Sequence, residues 1–183
     1  MKCVVTAALL ALSSAILHAG EGGPIFQFND QRFEPKHAYA FQMEIPDLGA
    51  MSRADMQAGK PPTKWKKVLA ISLSDKPFDT QTLAKLDPPF EALDRMVEAG
   101  ALLVTVTAGK DGEVDLLRIS LPRSKLALQM DTSVATLTLD PPKAGKVSGQ
   151  LVIKGDRHMH EFDPEHIPFI EADIRFVTAA PSR

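Results

Sequence analysis

The sequence predicts a mainly β protein: a single domain built as an antiparallel β-sandwich, or a barrel-like variant of one, with one crossover helix. Apolar and polar residues alternate with period two in many short segments, which is typical of half-buried strands. Gly, Pro and Asp-Gly turn signals separate these segments, while a well-defined helical pattern occurs once, between residues 87 and 100. An α+β sheet with this helix covering one face is the alternative.

The N-terminus has the features of a signal peptide. Lys2 precedes an apolar run from Val4 to Leu17, which is too short for a membrane span. A small residue, Ala19, stands before a plausible cleavage point. We therefore expect a signal peptide at residues 1–19 and a single β-rich domain at residues 20–183. The protein would be located in the periplasm or secreted, with no transmembrane segment after cleavage.

Cysteine content and charge narrow the possible functions. Cys3, the sole cysteine, lies within the expected signal peptide, so the mature domain has no disulfide and no thiolate nucleophile or ligand. A secreted domain without disulfides fits the bacterial periplasm better than the eukaryotic extracellular space. The formal net charge of -2 provides no electrostatic basis for binding nucleic acid, and we expect none among the partners.

The first half of the domain predicts two long strands joined by an insertion. Residues 37–45, HAYAFQMEI, alternate strictly and indicate a half-buried strand. Residues 65–72, WKKVLAIS, become almost wholly apolar, which is typical of a central strand covered on both faces. Between them, Ser52 and Asp55 resemble a small capping box that opens a helical turn or two ending at Gly59.

The clearest signal is a β-hairpin over residues 101–121. Two strand-like runs flank Asp111 and Gly112, a dipeptide that favours tight hairpin turns because both residues tolerate positive φ. Before the hairpin, Asp87 and the prolines after it predict the start of a helix that ends at Gly100. Three apolar residues share the face of this helix that would pack on a sheet: Phe90, Leu93 and Val97.

Further strands are predicted in the second half of the chain. They cover residues 126–130, 134–140, 146–154 and 168–178. The third of them contains Gly149, which indicates a β-bulge or a close backbone approach. In the last one, the alternation predicts which side chains face the core: Ile170, Ala172, Ile174 and Phe176.

The segment KGDRHMHEFDPEH, residues 154–166, concentrates potential metal ligands. If it is extended, His158 and His160 point to the same side, and a His-x-His pair on a strand can chelate zinc or copper. Three further residues complete the candidate ligand set: His166, Glu161 and Asp163. The alternative is a solvated polar connection between two strands, because such loops collect His, Asp, Glu and Pro. The segment contains no established metal-binding motif.

The insertion at residues 48–64 favours a binding role. Long loops on rigid β scaffolds often carry the contact surface, and flexible methionines suit adaptable apolar contacts. The candidate surface for a partner or ligand comprises Met51, Met56 and Trp65. Lysines surround Trp65, which would allow stacking on a base or a sugar. We prefer a solvated, proline-containing loop because no wider basic surface accompanies it.

Recognisable catalytic motifs are absent from the sequence. It has no GxSxG nucleophile elbow, no phosphate loop and no nucleotide fingerprint, and spacing singles out no Ser-His-Asp triad. A hydrolase with an unrecognised site is a third hypothesis. It requires a concave pocket that holds two or more titratable groups with shifted pKa values.

The stretch LSDKPFD, residues 73–79, carries a resemblance to a known family. Asp75 and Lys76 are placed to cap a turn by side-chain hydrogen bonds. An apolar strand, this stretch, a short helical segment and a buried strand follow one another as in a family of exported bacterial β-rich proteins without an assigned activity. Three residues match the V-x-G-x-L run of that family: Val147, Gly149 and Leu151. The chain resembles the family over residues 65–177, which implies an exported β-rich domain and transfers no catalytic residue.

These observations predict an exported, non-enzymatic domain that binds another protein or a small ligand. The alternative is a periplasmic protein that binds a transition metal, zinc or copper, through residues 158–166. Apart from such a metal, no cofactor is expected.

Overall fold

A computed structural model describes residues 25–78, 98, 100–109, 113–122, 127–141, 143 and 145–180. Within these residues, ten strands form two antiparallel five-stranded sheets, with two short helices between strands. The prediction of a mainly β, antiparallel two-sheet fold is confirmed, and the sheets are not closed into a barrel. The expected signal peptide lies outside the described residues, as does the helix expected at residues 87–100 except for Glu98 and Gly100.

The elements have the following bounds. Sheet I contains β1 (Phe26–Phe28), β2 (Gln31–Phe33), β8 (Ala135–Leu139), β9 (Lys146–Lys154) and β10 (Ile170–Ala179). Sheet II contains β3 (His37–Pro46), β4 (Trp65–Ser74), β5 (Leu103–Ala108), β6 (Val114–Ser120) and β7 (Ala127–Met130). The helices are α1 (Arg53–Gln57) and α2 (Arg157–Phe162), with 3-10 turns at Leu48–Ala50 and Thr132–Val134. Strands are adjacent in the order β2–β1–β10–β9–β8 in sheet I and β3–β4–β5–β6–β7 in sheet II.

The main core lies between the two sheets. All four side chains of β10 that the alternation predicts to face inward are buried: Ile170, Ala172, Ile174 and Phe176. Sheet II contributes fully buried side chains from its central strands, among them Ile71, Leu73 and Leu117. Burying one such aliphatic side chain contributes about 1.5–3 kcal/mol, so this layer is the main source of stability.

Sheet II also buries side chains on its other face. On β3, Ala38 belongs to the main core, whereas Met43 and Ile45 belong to a second apolar cluster. On β4, the predicted burial of both faces is confirmed, since every residue from 70 to 74 is buried. The alternation of residues 37–45 therefore indicates the strand correctly without revealing which face meets the main core.

Gly149 marks a close backbone approach in the middle of sheet I. A Cβ atom at this position would lie against the carbonyl oxygen of Thr138, 3.1 Å from Leu139 Cα and 3.2 Å from Phe176 Cζ. The ladders on both sides of Gly149 keep their register. The close approach, rather than a bulge, is the feature that requires glycine here.

Two segments differ from what the sequence indicates. Residues 157–162 form helix α2, where the sequence favours an extended stretch or a polar loop. Asp156 caps this helix, because its Oδ1 accepts a hydrogen bond from Met159 N at 3.0 Å. Strands β1 and β2 carry no sequence signal, since three residues are too few to show an alternating pattern.

The LSDKPFD stretch fastens the two ends of the connection between β4 and β5. Asp75 Oδ1 accepts a hydrogen bond from Leu102 N at 2.8 Å, just before β5 begins. Lys76 Nζ donates to Gly100 O, also at 2.8 Å. Both side chains form hydrogen bonds, but to residues 102 and 100 at the far end of the connection, whereas the turn itself is bonded by Lys76 N to Ser74 Oγ at 3.1 Å. We call Asp75, Lys76, Gly100 and Leu102 the β4–β5 clasp.

Candidate functional site

The connection between β3 and β4 is a closed excursion from the sheet, residues 47–64, which we call the β3–β4 excursion. Asp47 N donates to Lys64 O at 2.9 Å, which continues the β-ladder by one pair. This bond closes the excursion at its neck, the point where the chain leaves and rejoins the sheet. Inside, the hydroxyl of Ser52 accepts from Asp55 N at 3.1 Å, so the predicted capping box is formed. Gly59, with φ of 63°, follows the helix as its glycine terminator.

The sequence-predicted contact residues lie on this excursion or at its neck. Met51 is partly buried, whereas Met56 and Trp65 are exposed. Trp65 is the first residue of β4 and is paired with Pro46. The three residues are brought to one connection at one end of sheet II, which is the arrangement a loop-borne contact surface requires.

Two of the four lysines around Trp65 are paired with carboxylates. Lys60 Nζ lies 2.6 Å from Asp55 Oδ1, and Lys66 Nζ lies 2.9 Å from Asp115 Oδ2. The hydrogen bond from Lys60, together with one from Ser52, lowers the pKa of Asp55. These pairs reduce the positive charge available to an anionic ligand, which favours the solvated-loop interpretation of the lysines.

The connection between β9 and β10 is a second closed excursion, residues 155–169, which we call the β9–β10 excursion. Gly155 N donates to Ile170 O at 2.7 Å at its neck. Phe169 N donates to Asn29 Oδ1 at 2.8 Å, and Phe169 O accepts from Asn29 N at 2.7 Å. Phe169 itself is buried. The segment that the sequence presents as a polar connection is therefore an anchored structural element.

His160 has a structural role within the β9–β10 excursion. Its Nδ1 lies 2.6 Å from Ile167 O, and because a carbonyl oxygen only accepts, Nδ1 carries the proton. The ring centroids of His160 and Phe169 are 6.2 Å apart. The Arg157 guanidinium lies 4.2 Å from the centre of the Phe169 ring, a cation–π contact. The side chains of Arg157 and His160 both pack on the buried phenylalanine and hold α2 against it.

The other predicted metal ligands do not come together around a common centre. His158 and Glu161 are exposed on α2. Residues two apart on a helix point in roughly opposite directions, so His158 and His160 lack the extended chelating geometry. His166 Nδ1 lies 2.9 Å from Asp163 Oδ1. In the part of the chain that the structure describes, no three His, Cys, Asp or Glu residues are grouped closely enough to hold a metal ion.

A layer of buried hydroxyl groups is a feature that sequence reasoning missed. It consists of Ser72, Ser74, Thr105, Thr107 and Ser120, on the face of sheet II turned away from sheet I. Ser72 and Thr105 share a hydrogen bond of 2.8 Å, while the hydroxyls of Thr107 and Ser120 have no partner among the described residues. A buried unpaired hydroxyl costs about 1–3 kcal/mol. Hydroxyl residues spaced two apart, Ser72 and Ser74 at the end of β4 and Thr105 and Thr107 in β5, are the pattern that would have revealed this layer.

Titratable groups with shifted pKa values are scattered rather than gathered in a pocket. The pKa is raised for Tyr39 and lowered for Asp55 and Asp131, the last by hydrogen bonds from Ser133. Two open depressions of about 390 Å³ and 280 Å³ lie on the surface, and none of these three residues lines either one. The described residues thus provide no support for the hydrolase hypothesis.

Tyr39 connects β3 to the start of the β4–β5 connection. Its hydroxyl accepts a hydrogen bond from Phe78 N at 2.7 Å, and the two rings meet edge to face at 5.7 Å between centroids. Burial raises the pKa of Tyr39 above its ordinary value of 10.0, and the hydrogen bond from Phe78 opposes that change in part.

We expect alkaline pH to weaken the fold through Tyr39. A raised pKa means that the folded state keeps the phenol proton longer than the unfolded state, so this stabilisation is complete below pH 10 and is lost as the pH rises through the folded-state pKa. Tyr39 is the sole tyrosine, so tyrosinate absorbance in the native protein reports its pKa directly. Urea unfolding measured across alkaline pH should show a smaller loss of stability for Tyr39→Phe than for the native protein. An unshifted pKa of Tyr39 in the native protein would contradict this account.

Comparisons with known proteins leave this site to be interpreted from its own geometry. No protein-family model, no curated protein and no solved structure matches the chain. The resemblance carried by the LSDKPFD stretch therefore stays a prediction. Within the described ranges, no helix has both the length and the apolar character needed to cross a bilayer.

Proposed function

We propose that this protein is an exported, non-enzymatic binding domain that contacts another protein through its two helical excursions. One observation carries the proposal: the four most exposed large apolar side chains of the described residues lie on these excursions or, for Trp65, at the neck of one. They are Phe162, Trp65, Met56 and Met159, which are 83%, 56%, 46% and 44% exposed. Isolated apolar side chains on a surface need no explanation, but their concentration on two connections is typical of contact surfaces.

The construction of the excursions supports the same proposal. Each is closed at its neck by a backbone hydrogen bond, from Asp47 to Lys64 in one and from Gly155 to Ile170 in the other. Each also contains a helix with a side-chain N-cap. A partner that binds an ordered excursion avoids much of the entropy cost of fixing a loop, so these side chains are already arranged for contact.

Removing the β3–β4 excursion tests the proposal. Residues 48–63 are replaced by Asn-Gly, because Asp47 and Lys64 form a bonded pair that a two-residue hairpin turn closes directly. We expect the domain to keep its β-sheet circular dichroism and most of its thermal stability, and to lose its partner. In the intact chain, a photo-crosslinking amino acid at position 56 should yield a specific adduct in cells that make the protein.

The control for this experiment is a crosslinker at Thr136, an exposed strand residue on sheet I outside both excursions. An adduct from position 56 that is absent from position 136 supports the excursion as a contact surface. Equal labelling at both positions would show that the β3–β4 excursion makes no specific contact, and loss of the fold on excision would show that it has a structural role instead.

Transition-metal binding by the β9–β10 excursion is the second candidate, and one observation favours it. The Nδ1 atoms of His160 and His166 both face acceptors, Ile167 O and Asp163 Oδ1. With the proton held on Nδ1, each Nε2 keeps the lone pair that a metal requires, an arrangement common among histidine ligands. Zinc or copper is the metal this donor set suits.

Thermal melts with EDTA and then with zinc, copper or nickel test the metal candidate. A bound metal raises the melting temperature by mass action if it binds only the native state. The variant His158→Ala/His166→Ala removes two exposed histidines and should abolish a saturable shift, while His37→Ala, outside the excursion, should retain it. The absence of a shift with all three metals would eliminate this candidate and leave the protein-binding proposal untouched.

A further inference from the structure

Strand β3 is an unusually long open edge. Each sheet ends in two edge strands, and three of the four are short: β2 has 3 residues, β7 has 4 and β8 has 5. β3 has 10 residues and, among the residues that the structure describes, pairs along its length with β4 alone. Proteins commonly shorten or protect their edge strands, because unpaired N–H and C=O groups form a template for another strand. The length of β3 therefore calls for a specific explanation.

The direction of the backbone groups on β3 follows from the ladder. The pair Asp47–Lys64 is hydrogen-bonded and continues the β3–β4 register, in which bonded pairs recur at every second residue. Odd-numbered residues of β3 thus bond to β4, and even-numbered residues direct their N–H and C=O groups outward. Two observations agree: Ala38 O accepts from Thr178 Oγ1, and Pro46, which lacks an N–H, falls at an outward position.

Three residues on this edge keep both outward groups open. They are Ala40, Gln42 and Glu44, whose outward backbone atoms have no partner among the described residues. The open stretch is bounded on one side by Ala38, whose carbonyl is bonded, and on the other by Pro46. Gln42 lies at its midpoint, so the open groups are distributed symmetrically about this residue.

We propose that β3 pairs with β3 of a second copy of this chain, antiparallel and related by a two-fold axis through Gln42. In this register Gln42 faces Gln42 of the second copy, and Ala40 faces Glu44 of the second copy. Each pair exchanges both backbone hydrogen bonds, so every open group of the edge is satisfied. The two sheets II then form one continuous sheet across the dimer. This inference is independent of the proposed excursion contacts.

Side chains around the axis make a second copy a better match than an unrelated peptide. The paired residues place no like charges opposite each other, because Glu44 meets alanine. On the other face of the strand, Phe41 meets Met43 of the second copy; Met43 belongs to the second apolar cluster and Phe41 packs against it. Aromatic and aliphatic cross-strand pairs stabilise a sheet. A two-fold axis through Gln42 places each of the three open residues opposite a member of the same set in the second copy, so one register pairs them all.

Charge substitutions at the axis provide the test. Gln42→Lys and Gln42→Glu each place two like charges directly opposite each other, so each variant should weaken dimerisation at least about tenfold. Mixing the two variants places lysine opposite glutamate and should restore the dimer. Sedimentation equilibrium of the mature chain and of each variant, alone and mixed, measures these dissociation constants. Gln42 is exposed, so these substitutions should leave the monomer fold intact.

A proline at position 42 gives an independent test of the strand pairing. Gln42→Pro removes the outward N–H at the axis without affecting the β4 ladder, so it should abolish the dimer while the circular dichroism and melting of the monomer are preserved. A native chain that is monomeric at high micromolar concentration, or a mixture of the lysine and glutamate variants that stays monomeric, would overturn the proposal. A monomer that binds an extended peptide in a manner sensitive to Gln42→Pro would assign the edge to a different occupant.

Discussion

Gly149→Ala is expected to be severely destabilising, by about 3 kcal/mol, which is the upper part of the range for overpacking a well-packed core. The added methyl group would meet the carbonyl oxygen of Thr138 and the Cα of Leu139, which are backbone atoms that cannot rotate away. It would also press on Phe176, which is fully buried between the sheets. Relief requires β8 and β9 to separate. Urea unfolding followed by circular dichroism measures the loss.

Gly49→Ala is the matched control for this substitution. The nearest heavy atom to a Cβ at Gly49 is Asp47 Oδ1 at 3.5 Å, an ordinary van der Waals distance, and the residue is exposed. The free energy of unfolding of the Gly49→Ala variant should stay within roughly 0.5 kcal/mol of the native value. If Gly149→Ala proved no worse than Gly49→Ala, the close approach of β8 to β9 would not be the reason for the glycine.

Asp75→Ala is expected to destabilise the protein by about 2 kcal/mol through loss of the β4–β5 clasp. The carboxylate accepts from Leu102 N, and Leu102 is fully buried, so its N–H would be left without a partner in an apolar environment. The loss acts at the point where the chain enters β5, a central strand of sheet II. Hydrogen exchange should therefore accelerate at Leu102 and along the start of β5.

Asp75→Asn separates hydrogen bonding from charge at the clasp. The amide oxygen of asparagine can still accept from Leu102 N, so most of the lost stability should return. The variant Lys76→Ala removes the other contact of the clasp, to Gly100 O, which is exposed, and a smaller effect is expected. Equal destabilisation by alanine and asparagine at position 75 would mean that the negative charge, rather than the acceptor, is what the site needs.

The strands of the second half of the chain were predictable because their signals are local. β9 occupies the predicted residues 146–154, and β10 begins and ends within two residues of its expected bounds. In β10, the first four inward side chains are apolar and the first three outward ones are charged, so the pleat alone separates the two faces. The hairpin of β5 and β6 is likewise present, with the predicted turn residues 110–112 outside the described residues.

Helix α2 was not predictable from its own sequence. Residues 157–162 lack an apolar stripe, none of them is buried, and helices this short are marginal in isolation. The helix is held by contacts with distant partners: Arg157 and His160 pack against Phe169, which in turn bonds to Asn29. The extended His-x-His geometry considered for the candidate metal site is replaced by a helix for the same reason. On a strand, the two side chains of a His-x-His pair point to the same side; on a helix, they point in roughly opposite directions.

Of the candidate contact surfaces, the β3–β4 excursion could be predicted from the sequence and the β9–β10 excursion could not. An exposed loop rich in methionine, with a tryptophan at its end, is visible in the sequence, and Met56 and Trp65 are indeed exposed. Phe162 gave no such signal, because an aromatic residue within a polar segment usually packs inward and only the fold shows that it does not. The open edge of β3 is also invisible in sequence, since strand order is a non-local property.

The sequence by itself determined which residues form most strands and where α1 is capped. These are properties of side-chain alternation and local hydrogen bonding, which act over a few residues. Only the tertiary structure decided which face of β3 meets sheet I, that β3 lies at an edge, and that His160 supports a helix instead of a chelating strand. Those outcomes depend on contacts between residues far apart in the chain, such as Thr178 with Ala38, and local patterns do not encode such pairings.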